Sequence, residues 1–180
     1  MIAYLVLLLA VVSRIVPLQT HAWNFTAVGG SLLYFGARRS RWQTIIAVLV
    51  LAATDFYLTH FVYSYPFRIN GYLITWAWYA GVCLLGHGLL SRKTSALRVG
   101  AAVLTSATSF FVISNLAVWA GSALYAHTFA GLAECYTVAL PFYGNDLVST
   151  ACVAGALFGL PALARRLADA NNHGSNSAAA

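Results

Sequence analysis

Acidic residues are almost missing from this 180-residue chain: Asp55, Glu134, Asp146 and Asp169 stand against ten Lys and Arg, of which only Lys93 is lysine. Charged residues make up 8% and hydrophobic ones 61%, which excludes a soluble globular domain, because too little polar surface remains to meet water. The three cysteines, Cys83, Cys135 and Cys152, form no CxxC pair, and zinc binding is not expected. No internal repeat is evident, which argues against a carrier built from inverted halves. The net charge of +6 does not point to nucleic acid, since the arginines stand at the ends of apolar segments, where they set orientation and meet anionic lipid headgroups.

What fills the chain is six apolar segments, at residues 2–18, 25–37, 43–61, 71–90, 97–125 and 146–164. A helix needs about 20 apolar residues to cross a bilayer, and the second segment is short for that. Arg38, Arg39 and Arg41 follow segment two, Arg92, Lys93 and Arg98 follow segment four, and Arg165 and Arg166 follow segment six. The positive-inside rule makes those places cytoplasmic, so the expectation is an all-α, polytopic inner-membrane protein with both termini inside. The gaps at 19–24, 62–70 and 126–145 then face outward and carry only Arg68 among the basic residues. The first segment has no basic leader and carries Arg14 near its end, so it reads as helix one rather than a cleaved signal. Residues 1–166 form a single six-helix domain in this reading, and 167–180, rich in Asn, Ser and Ala, a disordered polar tail.

Ionisable groups inside a bilayer are costly, so the few that occur within the segments are the best pointers to function. Arg14 and Asp55 fall at similar depth toward the outer ends of helices one and three. They read either as an ion pair pinning the two helices or as the polar floor of an outward cavity. Asn115 lies in the outer half of helix five with Trp119 one turn on, placed for interhelical hydrogen bonding or for a ligand. The outward gaps gather His21, Trp23, Asn24, His60, Tyr63, Tyr65, Tyr125, His127, Glu134, Tyr136, Tyr143, Asn145 and Asp146. An interfacial aromatic belt accounts for part of this, and a small-molecule pocket for the excess of His, Asn and acid. Thr128 to Leu140 is apolar but too short to span, and Pro141 and Gly144 follow as breakers, so it reads as a re-entrant or interfacial helix capping a cavity. Cys83 and His87 share one face of helix four, a sulfur and an imidazole suited to a transition metal.

Several strings carry a family likeness: Ser13-Arg14 to Pro17, Asn24-Phe25-Thr26, Asp55, Ser114-Asn115 to Trp119, Tyr125 to Leu132 and Cys135 to Phe142. Over about residues 1–166 the chain resembles the S components of energy-coupling-factor vitamin transporters, and within them it is most similar to the BtuM-type vitamin B12 transporters. The resemblance implies a six-helix substrate-binding subunit that takes a vitamin from outside, topples in the membrane to release it, and has no hydrolytic chemistry or cofactor of its own. It implies cobalamin or a related corrinoid as cargo, with Cys83 as ligand to cobalt and His87 as the weaker candidate. Arg14, Asp55 and Asn115 would hold the polar framework, and Tyr125, His127, Tyr136 and Asn145 the lid. An energising ATPase module is the partner such subunits use, although Val6, Ala10 and Arg14 depart from the small-residue spacing that docks them on helix one. Three other readings stay open: an S component for a flavin, thiamin or a pteridine, a membrane enzyme acting on a lipid or quinone, and a purely structural membrane subunit, against which the outward excess of polar residues argues. The second needs convergent catalytic groups, and Asp55, Glu134 and Asp146 with His60 or His127 form no familiar spacing.

Overall fold

The second apolar segment, too short to cross a bilayer, is the centre of the bundle in the computed structural model. It forms α2 (Val28–Arg38), and Leu32, Leu33 and Phe35 within it are wholly buried. Around it stand α1 (Ile2–Ile15), α3 (Thr44–Tyr57), α4 (Leu73–Leu90), α5 (Ala96–Gly121) and α6 (Phe129–Ala154), and α7 (Leu160–Ala178) extends beyond α6 with its described side chains exposed. A π-helical turn at Gly155–Gly159 joins α6 to α7, so the elements make six helical rods. The structure describes residues 1–15 and 25–178, with 171–178 described by backbone alone, and there is no strand among the described residues. His21, Trp23 and Asn24, expected in the first outward gap, lie outside the described residues.

Close approach of backbones explains how so many helices reach a short central one. On α2, a Cβ at Gly36 would run into the carbonyl oxygen of Cys83, and on α4, a Cβ at Gly86 would run into that of Leu33. The two helices therefore touch backbone to backbone at two reciprocal points. Small residues at such crossings are the means by which helices pack where lipid is as apolar as leucine. On its other side α2 meets α6, where a Cβ on Gly30 would come within 2.7 Å of the Val153 side chain.

Four helical rods among the described residues are long and apolar enough to cross a membrane: Arg41–Val62, Leu73–Leu90, Ala96–Gly121 and Phe129–Ala170. Large apolar side chains cover the outside of the bundle, among them Leu5, Leu8 and Leu9 on α1, Ile45 and Leu49 on α3, and Val138 and Val148 on α6. Such a surface is stable in lipid and a liability in water. The chain is a membrane protein.

The sixth segment is where sequence and structure part. Residues 126–145 were expected as an outward connection with a short capping helix, and the span to begin at 146. Instead α6 starts at Phe129, its N-terminus capped by the Thr128 hydroxyl, which accepts from the Gly131 amide at 3.2 Å, and runs unbroken through Pro141 and Gly144. Proline removes one amide donor and crowds the preceding turn. Membrane helices tolerate this, because neighbouring helices, hydroxyl side chains and local adjustments satisfy the freed backbone groups. At its far end the helix runs on through α7 to Ala178, across residues the sequence assigns to a polar tail.

Candidate functional site

Late residues of α1 and α3, early residues of α4, the start of α2 and the middle of α5 and α6 meet toward one end of the bundle, opposite the arginines at the α2–α3 and α4–α5 turns. At that end Arg14 and Asp55 form an ion pair, Nη2 to Oδ1 at 2.6 Å. The depth match read from sequence is thus a contact. Asp55 is almost fully buried, and it also accepts a hydrogen bond from the Trp76 indole at 2.9 Å. Arg14 donates to the Tyr79 hydroxyl at 3.1 Å, and that hydroxyl points its own proton at both Asp55 oxygens, 3.4 Å away. Four side chains from three helices close one network, whose charge-assisted bonds hold the two ions in fixed positions.

Beside this network lie two cavities of about 240 and about 320 Å³. The smaller is lined by Arg14, Asp55, Thr26, Tyr72, Thr75 and Tyr79, with Trp78 as one wall. The larger lies between α5 and α6 and takes in Phe111, Ser114, Asn115, Phe142 and Tyr143. Phe110 and Asp146 line both, so the two are lobes of one site divided at that pair. Trp78 is fixed by donating to the Ser109 hydroxyl at 3.1 Å and by packing on the Phe110 ring, 4.6 Å between centroids. At the mouth, Phe67 from the α3–α4 loop stacks on Tyr72 at 5.0 Å, and Tyr72 shares a hydrogen bond with Thr59. Aromatic walls with a few fixed polar groups and a combined size within the range of small-molecule pockets suit the site to a small molecule.

Not every residue singled out in the sequence belongs here. Arg14, Asp55 and Asn115 line the site, and the Asn115 side-chain amide donates to the Phe111 carbonyl at 2.7 Å while the Asn115 backbone carbonyl accepts from the Cys135 thiol at 3.5 Å. His127 and Tyr125 instead belong to the α5–α6 turn: His127 contacts the Ser122 carbonyl at 3.2 Å and the edge of Trp119, whose indole donates to the Ala126 carbonyl. Tyr136 faces α5, donating to the Val112 carbonyl at 2.7 Å, and Asn145 sits next to Asp146 but outside both linings. Of the four residues expected in a lid, Tyr125 and His127 stand in the α5–α6 turn, whereas Tyr136 and Asn145 stand on α6.

Cys83 is the larger correction. It shares a face of α4 with Tyr79, which does reach the site, but it lies one turn deeper and has no exposed surface. Gly36 of α2 closes against its backbone, and Cys83 lines neither lobe. His87, a further turn on, is half-buried, with Nδ1 buried and unpartnered, and no three His, Cys, Asp or Glu side chains come together among the described residues.

A family model described as a family of unknown function (DUF6580) matches residues 1–172. The chain belongs to DUF6580. No curated protein and no solved structure matches this DUF6580 member. What sequence reasoning missed in it is Asp146, assigned to an outer gap though the helix carries it into the bundle, and the cluster of Tyr72, Trp76 and Tyr79 around Asp55. A signal was present for the second: Trp76 and Tyr79 are three apart, hence on one helix face, and both have donors that need a buried acceptor.

Proposed function

We propose that this chain is the ligand-binding membrane subunit of a vitamin-uptake system, taking its cargo into the two-lobed site from outside and reorienting in the membrane to release it. The observation that carries the reading is the site itself: a self-satisfied Arg14–Asp55–Tyr79–Trp76 network beside an aromatic cavity at one end of a helical bundle. The role assigned is binding, with the six rods spanning the cytoplasmic membrane of a bacterium and both termini inside. Arg38, Arg39 and Arg41, with Arg92, Lys93 and Arg98, lie at the end of the bundle opposite the site, which supports an outward mouth.

That orientation has a direct check. In a variant lacking the three native cysteines, a cysteine at Ala123 in the α5–α6 turn should react with an impermeant maleimide in intact cells, whereas one at Ser40 should react only after lysis. Both positions are exposed in the fold. Labelling in the opposite sense means that the protein is inserted the other way and the site opens to the cytoplasm.

For the cargo, the packed Cys83 and the two modest lobes favour a smaller vitamin over the corrinoid that the family likeness suggests, since a corrinoid with its amide arms and nucleotide loop is far larger than either lobe. The ligand in this proposal is a flat heteroaromatic vitamin of flavin, thiamin or pteridine size. Tryptophan fluorescence of the purified protein, with Trp76 and Trp78 at the site, should be quenched by one of these and not by cyanocobalamin. Quenching by cyanocobalamin, with absorption bands that move when Cys83→Ser is made, restores cobalt ligation. Silence toward every vitamin tested sinks the uptake reading.

A further inference from the structure

The charges around the site do not cancel. Among the described side chains lining the two lobes, Arg14, Asp55 and Asp146 are the only Arg, Lys, Asp or Glu residues. Arg14 is taken up by Asp55 at 2.6 Å and by the Tyr79 hydroxyl, and Asp55 is further bonded by Trp76. Asp146 is left over. It is 7% exposed, it lines both lobes, and its Oδ2 is buried without a hydrogen-bond partner. The hydroxyls that follow it on α6 do not serve it: Ser149 donates to the Asp146 backbone carbonyl at 3.0 Å, and the Thr150 hydroxyl one turn on is itself unpartnered.

An unpaired carboxylate inside a membrane helix is expensive, and such groups face cavities where something pairs with them. The walls on either side narrow down what that something is. Phe110 stands with Asp146 at the junction, Trp78, Tyr79 and Tyr72 surround one lobe, and Phe111 and Tyr143 the other. The faces of aromatic rings attract cations, most strongly where water is excluded. An anionic ligand would be repelled by Asp146, and a neutral one would leave its oxygen without a charge partner.

We infer that the molecule bound here is an aromatic organic cation, a ring carrying an amidinium, protonated amine or quaternary nitrogen, whose charge sits at the junction against the Asp146 carboxylate and the Phe110 face. The ring portions extend into the lobes. The inference rests on the binding role proposed above and adds the charge class of the ligand.

Three probes of one shape and different charge test it on the purified wild-type protein: benzamidine, benzamide and benzoate. Displacement of the tryptophan signal and a rise in unfolding temperature should be seen with benzamidine at concentrations about 10-fold or more below those needed for benzamide, and not with benzoate. Thiamin, an aromatic cation of vitamin size, should behave as benzamidine does. Asp146→Asn keeps the size and the hydrogen-bonding capacity and removes the charge, so cation binding should weaken by about 30-fold. Without ligand, that variant should unfold no earlier than wild type, since it relieves an unpaired charge.

Equal binding of benzamide and benzamidine, or cation binding undiminished in Asp146→Asn, overturns the inference. Stabilisation by Na⁺ alone to the same extent overturns it too, assigning Asp146 to an inorganic ion. Riboflavin quenching with both benzamidine and thiamin silent leaves the uptake role standing and removes only the charge assignment. Silence toward every probe and every vitamin removes both.

Discussion

Replacing either Arg14 or Asp55 with alanine is expected to destabilise the protein more than replacing both. Each single change strips the partner from a charge held away from water: Asp55 keeps 2% side-chain exposure and Arg14 only 20%. Removing one member of a buried pair costs about 3–5 kcal/mol, much of it the penalty of the charge left behind, whereas removing both leaves no such charge. Arg14→Ala leaves Asp55 facing the Trp76 and Tyr79 donors, which soften the loss without neutralising it. Asp55→Ala leaves the guanidinium with the Tyr79 hydroxyl and the cavity. Thermal unfolding of the four proteins in one detergent forms a double-mutant cycle, and coupling of 1 kcal/mol or more in size is expected for groups in direct contact, on the order found for shared networks. Strict additivity would mean that the ion pair contributes nothing as a pair. Because the network also walls the smaller lobe, ligand binding should fall with both single changes.

The second large effect is expected at the α2–α4 crossing. Gly36→Ala drives a methyl group into the Cys83 carbonyl, and Gly86→Ala drives one into the Leu33 carbonyl. Overpacking by a single methylene costs about 1–3 kcal/mol where side chains can move aside. Here the obstacle is backbone, so the helices themselves must separate, and the upper part of that range applies to each change. Separation opens the face that buries Leu32, Leu33, Phe35 and Val82, and the double variant should give little monodisperse protein. Gly88→Ala is the matched control. It lies on the same helix, its added methyl group meets nothing within 4 Å, and helix propensity alone should raise stability by about 0.5–1 kcal/mol. If Gly36→Ala melts with the wild type while Gly88→Ala behaves as expected, α2 and α4 are not in backbone contact.

How far a residue's role was legible depended on which coordinate it concerned. Depth was readable. Arg14 and Asp55 were placed at one level from hydropathy and charge, and they meet at 2.6 Å. Rotation about the helix axis was not. Nor were backbone contacts: Cys83 shares its face of α4 with Tyr79 and lies one turn deeper, where Gly36 of α2 packs against its backbone, and Tyr79 alone of the two lines the site. Tyr136, placed on a lid by its position in an outer gap, points to the Val112 carbonyl of α5 instead.

The sequence by itself determined that this is an all-helical membrane protein, that six helical segments make it, and which few polar groups stand at matching depth. These follow from hydropathy, from the scarcity of charge and from the cost of burying what charge there is. Only the tertiary structure decided that α6 passes unbroken through Pro141, that Asp146 stands at the junction of two lobes, and that Gly36 of α2 packs against the Cys83 backbone while Gly86 of α4 packs against that of Leu33. The reason is physical. In water, the buried face of a helix is marked by an apolar stripe, but in lipid both the outward and the inward face are apolar, so the sequence carries little record of which way each helix is turned. That record is written in backbone contacts and hydrogen bonds between helices, which exist only once the bundle is assembled.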